Sequence, residues 1–394
     1  MPPKKRAPYR PFEYLEGGAD YRAFELAKEL DRVPSSPFAL DAAQTRRLER
    51  ILATAPLVSS HDHCIVMPED IGLIHEYARE RRTWTGYAGL AAAGVDVVLE
   101  AFLDGMGGWR WDDVLFDLGM RYSDIAHQDF LYRADTTADV ERAKPEGKCA
   151  LVATLECATM IEDDIDRIDV LYGFGVRVMG ITYSESNGLG SGLREERDGG
   201  LTDLGRATVR RMNKVGMTID VSHCGDQTSL DTIESSERPI LITHAGARGL
   251  WNTKRMKPDA VLKACAAKGG VIGIEAAPHT TLTDKHPLHS IDSVMEHVAY
   301  CVELMGVDHV GLGPDTLFGD HVGLHKAFAA ALSIGRIQQG VTYTPVRYVE
   351  GMESPAEAMP NAARWLVAHG YADADIAKVL GGNVLRVLKE TWAR

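Results

Sequence analysis

Eight runs of apolar, largely β-branched residues recur along the chain, at 56–63, 95–102, 149–156, 176–183, 217–223, 240–244, 270–275 and 309–315, with helical patterns between them. Apolar runs this short read as strands buried on both faces, and strands separated by helices pair in parallel. Eight such units lead to one expectation, an α/β chain folded as a (β/α)8 TIM barrel. Helices are expected at 204–214, at 258–268 with Pro258 in the first turn and Gly269 at the stop, and at 294–305 with Val298 and Val302 on one face. Ahead of the first run, Asp41 is placed to cap a helix carrying Leu48, Ile51 and Leu52 on one side. Residues 1–50 are expected to form an amino-terminal extension with a further helix at 19–32, and 51–394 the barrel domain.

The runs end alike. His61 and His63 finish the first, Glu156 the third, Tyr183 the fourth, His223 the fifth, His244 the sixth, Glu275 the seventh and Asp315 the eighth. In a barrel of this kind the carboxyl ends of the strands converge on one mouth, where active sites are built. Within VSSHDH at 58–63, residues i and i+2 share a face, so His61 and His63 project together while Asp62 points away. A lone His-x-His reads more readily as two surface histidines in a turn. Scattered surface histidines, however, would not choose strand ends run after run. Imidazole and carboxylate groups are ligands of zinc and its neighbours, so the mouth is expected to hold metal.

Composition narrows the partners. A formal net charge of −13 over 394 residues argues against a nucleic-acid surface. No window offers the roughly 20 apolar residues of a membrane helix, and the amino terminus lacks a secretory pattern, so a soluble cytoplasmic protein acting on a small molecule is expected. Lys4, Lys5 and Arg6 form a basic run too short to carry a targeting signal. The six cysteines lack paired spacing and read as reduced core thiols. Cys64, Cys157 and Cys224, each directly after a candidate ligand, read as small packing residues.

With these residues placed, the chain resembles the membrane dipeptidase (renal dipeptidase) family of metallopeptidases within the amidohydrolase superfamily, from about residue 56 to the end. The resemblance is carried by GLTDLGRATVRRMNKVGMTIDVSH at 200–223, RPILITHAGAR at 238–248, KPDAVLKACAAKGGVIGI at 257–274, GVDHVGLGPD at 306–315, YVEGMESP at 348–355 and VLGGNVLRVL at 379–388. It implies two divalent metal ions per chain, zinc first and manganese or iron as alternatives. His61 and His63 would hold one ion, His223 and His244 the other, and Glu156 would lie between them. It further implies amide or peptide hydrolysis by a metal-bridging hydroxide, with Asp315 moving the proton from that water to the leaving amine. Arg255, matching a family arginine, would pair with a substrate carboxylate or the oxyanion. Association as a homodimer is also implied, with the amino-terminal extension as a candidate contact.

Three departures stand out. The family pattern on the first strand is His-x-Asp, where this chain has His63, and the loss of a negative charge makes the centre more positive. At the end of the fourth strand the family places a histidine that binds substrate, and here Tyr183 offers a phenol donor instead. Glu275 stands where the family has an amide, and a carboxylate in the substrate pocket would invite a cationic substrate or touch a metal. Two loops at the mouth, 279–290 with His286 and His289 and 316–325 with Asp320, His321 and His325, are long enough to act as lids, and their histidines read as solvated or structural. Asn383 is read as the cap of the last helix.

Other readings use the same residues. A decarboxylase or other lyase, or hydrolysis of a non-peptide amide, would employ the same metals, and carbon dioxide release without water consumption distinguishes the lyase. A binding module with a structural metal belongs to another class. Glu156 and Asp315 argue against it, because a structural site has no use for a free carboxylate facing it.

Overall fold

The computed structural model describes residues 9–35, 38–103, 110–332 and 334–392, so the basic run at 4–6 lies outside the described residues. Among the described residues nine strands form one all-parallel sheet: β1 (Val58–Asp62), β2 (Val97–Phe102), β3 (Leu131–Arg133), β4 (Cys149–Leu155), β5 (Val176–Gly180), β6 (Thr218–Asp220), β7 (Leu241–Ala245), β8 (Val271–Ile274) and β9 (Val310–Leu312). Eight of them run in the order β1-β2-β4-β5-β6-β7-β8-β9, and β3 pairs with β4 outside that path. The path nearly closes on itself. Beyond the strand ends, the Asp315 N–H donates to His61 O at 3.0 Å and the His63 N–H to Thr316 O at 3.0 Å. All eight expected strands are present, and β3 is the addition.

Close approach inside the barrel explains two glycines. A Cβ on Gly273 would sit 2.1 Å from Ser60 Oγ, and one on Gly313 2.0 Å from Thr243 O. Ser60 Oγ uses that space to donate to Thr243 O at 2.7 Å and Leu312 O at 2.9 Å, tying β1 to β7 and β9 directly beneath the strand ends.

The helices follow their sequence signals closely. Asp41 caps Ala42–Thr54 through a reciprocal box with Gln44, and Leu48 and Ile51 of that helix are buried. Asp203–Val215 buries Val209 and Met212, Asp259–Ala267 begins after Pro258, and Ile291–Met305 buries Val294 and Val298.

Two expectations fail. Residues 19–32 are not helical: Leu26 bridges Pro68, and Ala27 N–H and Glu69 N–H bond to Met67 O and Glu25 O. Phe24 instead packs its ring against Tyr77 and Trp84, so tertiary aromatic contacts override the helical pattern. Asn383 does not cap the last helix, Asn383–Trp392. It lies inside that helix, and its amide donates to Val307 O at 2.7 Å and Val310 O at 2.8 Å, fastening the helix to β9. The extension itself docks on the barrel of its own chain. Tyr9 Oη and the Phe12 N–H both donate to buried Asp124, at 2.9 and 2.7 Å.

Buried histidines make the folded state acid-sensitive. His297 accepts the Ala247 N–H on Nδ1 at 2.9 Å and donates from Nε2 to Leu282 O at 3.0 Å, an arrangement only neutral imidazole can make. Burial pushes it down to about 4. Because an unfolded histidine ionises near 6.5, this contribution is complete above that pH and is lost as pH falls from about 6.5 towards 4. The metal-free protein is therefore expected to lose roughly 2 kcal/mol from this residue between pH 7 and pH 5. Denaturant titration checks it: a His297→Gln variant, less stable at pH 7, has to show a shallower decline.

Candidate metal centre

Strand ends gather the ligand candidates. His61 lies in β1 and His63 just beyond it, Glu156 follows β4, His223 follows β6 and His244 lies in β7, all buried. Glu156 Oε2 sits 3.1 Å from His223 Nε2 and 3.5 Å from His244 Nε2. Those two imidazole nitrogens face each other at 3.0 Å, and the rings of His61 and His244 stack with centres 3.6 Å apart. Three overlapping sets of donor atoms lie within 4.8 Å of one another: His61, His63 and Glu156; Glu156, His223 and His244; and His61, His244 and Asp315.

Hydrogen bonds fix which nitrogen of His244 faces the cavity. Ser222 Oγ donates to Asp220 Oδ1 at 2.6 Å, so its contact with Thr243 Oγ1 at 3.0 Å has threonine as donor. Thr243 Oγ1 then accepts from His244 Nδ1 at 2.9 Å. The Nε2 lone pair is left pointing into the site, as a metal ligand requires. Among the described residues His61 Nε2 is buried without a hydrogen-bond partner, 3.5 Å from Asp315 Oδ1. Imidazole nitrogens gathered around one buried carboxylate fit divalent cations.

This relay was missed in the sequence, though it left a signal. Asp220, Ser222 and Thr243 are polar residues inside apolar strand runs immediately before His223 and His244. Ser222→Ala frees the Thr243 hydroxyl to donate to His244 Nδ1, which moves the imidazole proton onto Nε2. Metal affinity, measured by chelator competition, is expected to fall about 10- to 100-fold. An unchanged affinity would remove the relay's role.

Asp62, which points away from the histidines as its position implies, is also at work. Its Oδ1 accepts from the Thr316 N–H at 2.9 Å and Thr316 Oγ1 at 2.7 Å, and its Oδ2 from Ser59 Oγ at 2.5 Å. These bonds hold the turn that carries Asp315.

Asp315 Oδ1 lies 3.1 Å from His63 Nε2 and 3.5 Å from His61 Nε2. Its backbone is left-handed, φ 55°, a conformation uncommon outside glycine and held here by the bond to His61 O. Burial works against its charge, but the facing imidazoles outweigh that and keep the carboxyl well below the usual range. Glu156 is ionised for the same reason, with His223 and His244 as the stabilising groups against burial.

A cavity opens above these residues, at the carboxyl ends of the strands where sites of this fold are built. Tyr183 and Arg255 line it. The Tyr183 ring lies 4.2 Å from that of His223, and burial, followed by the charges of Glu156 and Asp315, raises its hydroxyl far above the usual value, so it remains a donor. Arg255 donates to His244 O at 2.9 Å and pairs with Glu275. Glu275 differs from the sequence expectation: its side chain is wholly buried, pairs with Arg255 and is not among the residues that line the cavity, and burial, opposed by the Arg255 charge, pushes its carboxyl up to about 7. The loop histidines divide: His321 and His325 line the cavity, His289 is buried against the backbone of His279, and His286 is half-exposed beside Glu296.

The family model described as membrane dipeptidase (peptidase family M19) matches residues 46–327. Dipeptidase tcpJ of Claviceps purpurea is 28% identical over 281 residues, which cover 71% of this chain but 58% of that protein. An amidohydrolase of Pseudomonas aeruginosa superposes with a TM-score of 0.74 at 24% identity, over 88% of this chain and 99% of that one. A metallo peptidase of Rhodobacter sphaeroides, solved with a phosphinate mimic of the dipeptide L-Ala-D-Ala, gives 0.67 at 18%, over 86% and 100%. These likenesses in structure establish the fold. The length and position of the family match, which spans β1 to β9 and every candidate ligand, establish more: this chain belongs to the membrane dipeptidase family, peptidase family M19.

Proposed function

We propose that the protein is a metal-dependent hydrolase that cleaves the peptide bond of dipeptides or closely related small amides. The observation that carries this reading is buried Glu156, one oxygen of which lies against both the His223 and His244 nitrogens while its carboxylate also groups with His61 and His63. Two divalent ions fit that donor set, His61, His63 and Glu156 holding one and His223, His244 and Glu156 the other. Zinc suits the ligands best, with manganese or iron as alternatives. When bound, such ions lower the pKa of water and polarise a carbonyl.

The chain's own groups would do the rest. Asp315 accepts the proton of the attacking water on a carboxylate oxygen and passes it to the departing amine. Tyr183 donates a hydrogen bond from its hydroxyl to the carbonyl oxygen as negative charge develops there. Arg255 orients the substrate, its charge moderated by Glu275. Residues 51–394 form the catalytic unit in this reading. The six cysteines, all buried free thiols, accord with a reducing cytoplasmic setting.

Elemental analysis of the purified protein, run beside hydrolysis of L-L and L-D dipeptides, N-acyl amino acids and amino-acid amides, tests the reading. About two ions per chain with turnover of dipeptides is the expected result. One ion or none after reconstitution, or two ions with no amide cleaved, would overturn it.

A further inference from the structure

The wall of the cavity beside Asp315 is built by strand alternation. Past the strand ends, residues 63–67 and 316–318 run side by side, with the Phe318 N–H donating to Ile65 O at 2.9 Å and the Met67 N–H to Phe318 O at 2.7 Å. Alternate side chains of an extended chain share a face. The face of His63 therefore continues through Ile65 and Met67, and that of Asp315 through Leu317, and all of these line the cavity. Leu324 from the helix His321–Ala327, and Leu332 and Ile334 beyond it, complete this side. Its imidazoles, His321 and His325, pack edge to face against each other with centres 4.5 Å apart. On the opposite side, at the ends of β5 to β7, Tyr183, His223 and Arg255 contribute hydrogen-bonding groups. The side of Asp315 thus carries the cavity's apolar surface, six aliphatic side chains set beside His63, Asp315, His321 and His325.

We infer that this apolar wall is a subsite for a bulky apolar side chain on the amine-bearing half of the substrate, making dipeptides with leucine, methionine or phenylalanine as second residue preferred. The inference rests on the reading of Asp315 as proton donor to the leaving amine. An amine within hydrogen-bond reach of that carboxylate carries its substituent against Ile65, Met67 and Leu317. Filling the wall displaces water from apolar surface, and an aspartate or lysine there would lose hydration against Ile65, Met67 and Leu317. The Arg255–Glu275 pair lies across the cavity and offers such a side chain no compensation.

Steady-state kinetics of the metal-loaded enzyme on two series, Gly-X and X-Gly, tests it. The kcat/KM for Gly-Leu and Gly-Phe is expected to exceed that for Gly-Gly by about 10- to 100-fold, with Gly-Asp below Gly-Gly and the X-Gly series much flatter. Leu332→Asn on the partly exposed side of the wall, and Leu324→Ala, should each cut the Gly-Leu to Gly-Gly ratio several-fold. A flat Gly-X series, or a preference confined to X-Gly, overturns the inference. Failure to cleave any dipeptide would instead strike the dipeptidase reading. Calorimetric binding of Gly-Leu against Gly-Gly then decides the subsite by itself: tighter Gly-Leu binding supports it, and equal affinities overturn it.

Discussion

Glu156→Gln is expected to abolish stoichiometric metal binding and to reduce kcat/KM by about 10³-fold, which corresponds to about 4 kcal/mol of transition-state stabilisation. The side chain is nearly isosteric, so the barrel should survive the change. What alters is charge. Four imidazoles surround this position, and Glu156 carries the negative charge shared by two of the three donor groupings. A neutral amide gives one weak oxygen donor and, turned the other way, presents N–H groups to nitrogens whose lone pairs face inward. Elemental analysis before and after dialysis against a weak chelator reads the effect, with about two ions falling to one or fewer. Two ions retained by the variant would show that Glu156 is not shared between metal positions.

The barrel was legible because its signal is redundant. Eight apolar runs were placed by their lengths, seven of them also by a terminal polar residue, and the ends of β1, β4, β6 and β7 then put His61, His63, Glu156, His223 and His244 in one mouth without further information. The strand β3 was not visible, since its three residues carry no periodicity. Position alone could not reveal direction. Glu275 occupies a strand end like the others, yet its side chain turns from the cavity to Arg255, a partner 20 residues away whose approach only tertiary structure fixes. The same limit applies to residues 19–32, where Phe24 finds Trp84, and to Asn383, whose partners Val307 and Val310 lie more than 70 residues away. Polar residues buried in apolar strands, Asp220, Ser222 and Thr243, were readable in principle, because each needs a partner.

Asp315→Asn is expected to lower kcat/KM by about 10²- to 10⁴-fold, the range for losing a positioned acid–base group, while metal content and KM change little. Asparagine is the right probe for two physical reasons. It matches aspartate in shape, and with aspartate it is among the few residues that tolerate the left-handed backbone found here, φ 55°. An alanine at this position would add backbone strain and confuse lost chemistry with lost geometry. The variant also separates two roles that the distances alone leave together, since Asp315 groups with His61 and His244 as a set of three donors and also faces the cavity. A proton carrier is needed during turnover and not for holding ions. If the variant keeps its metal and loses turnover, Asp315 acts on the substrate side. If it loses an ion along with activity, Asp315 is a ligand, and the proton must travel by another group; His321 and His325, which line the same cavity, are then the first to substitute.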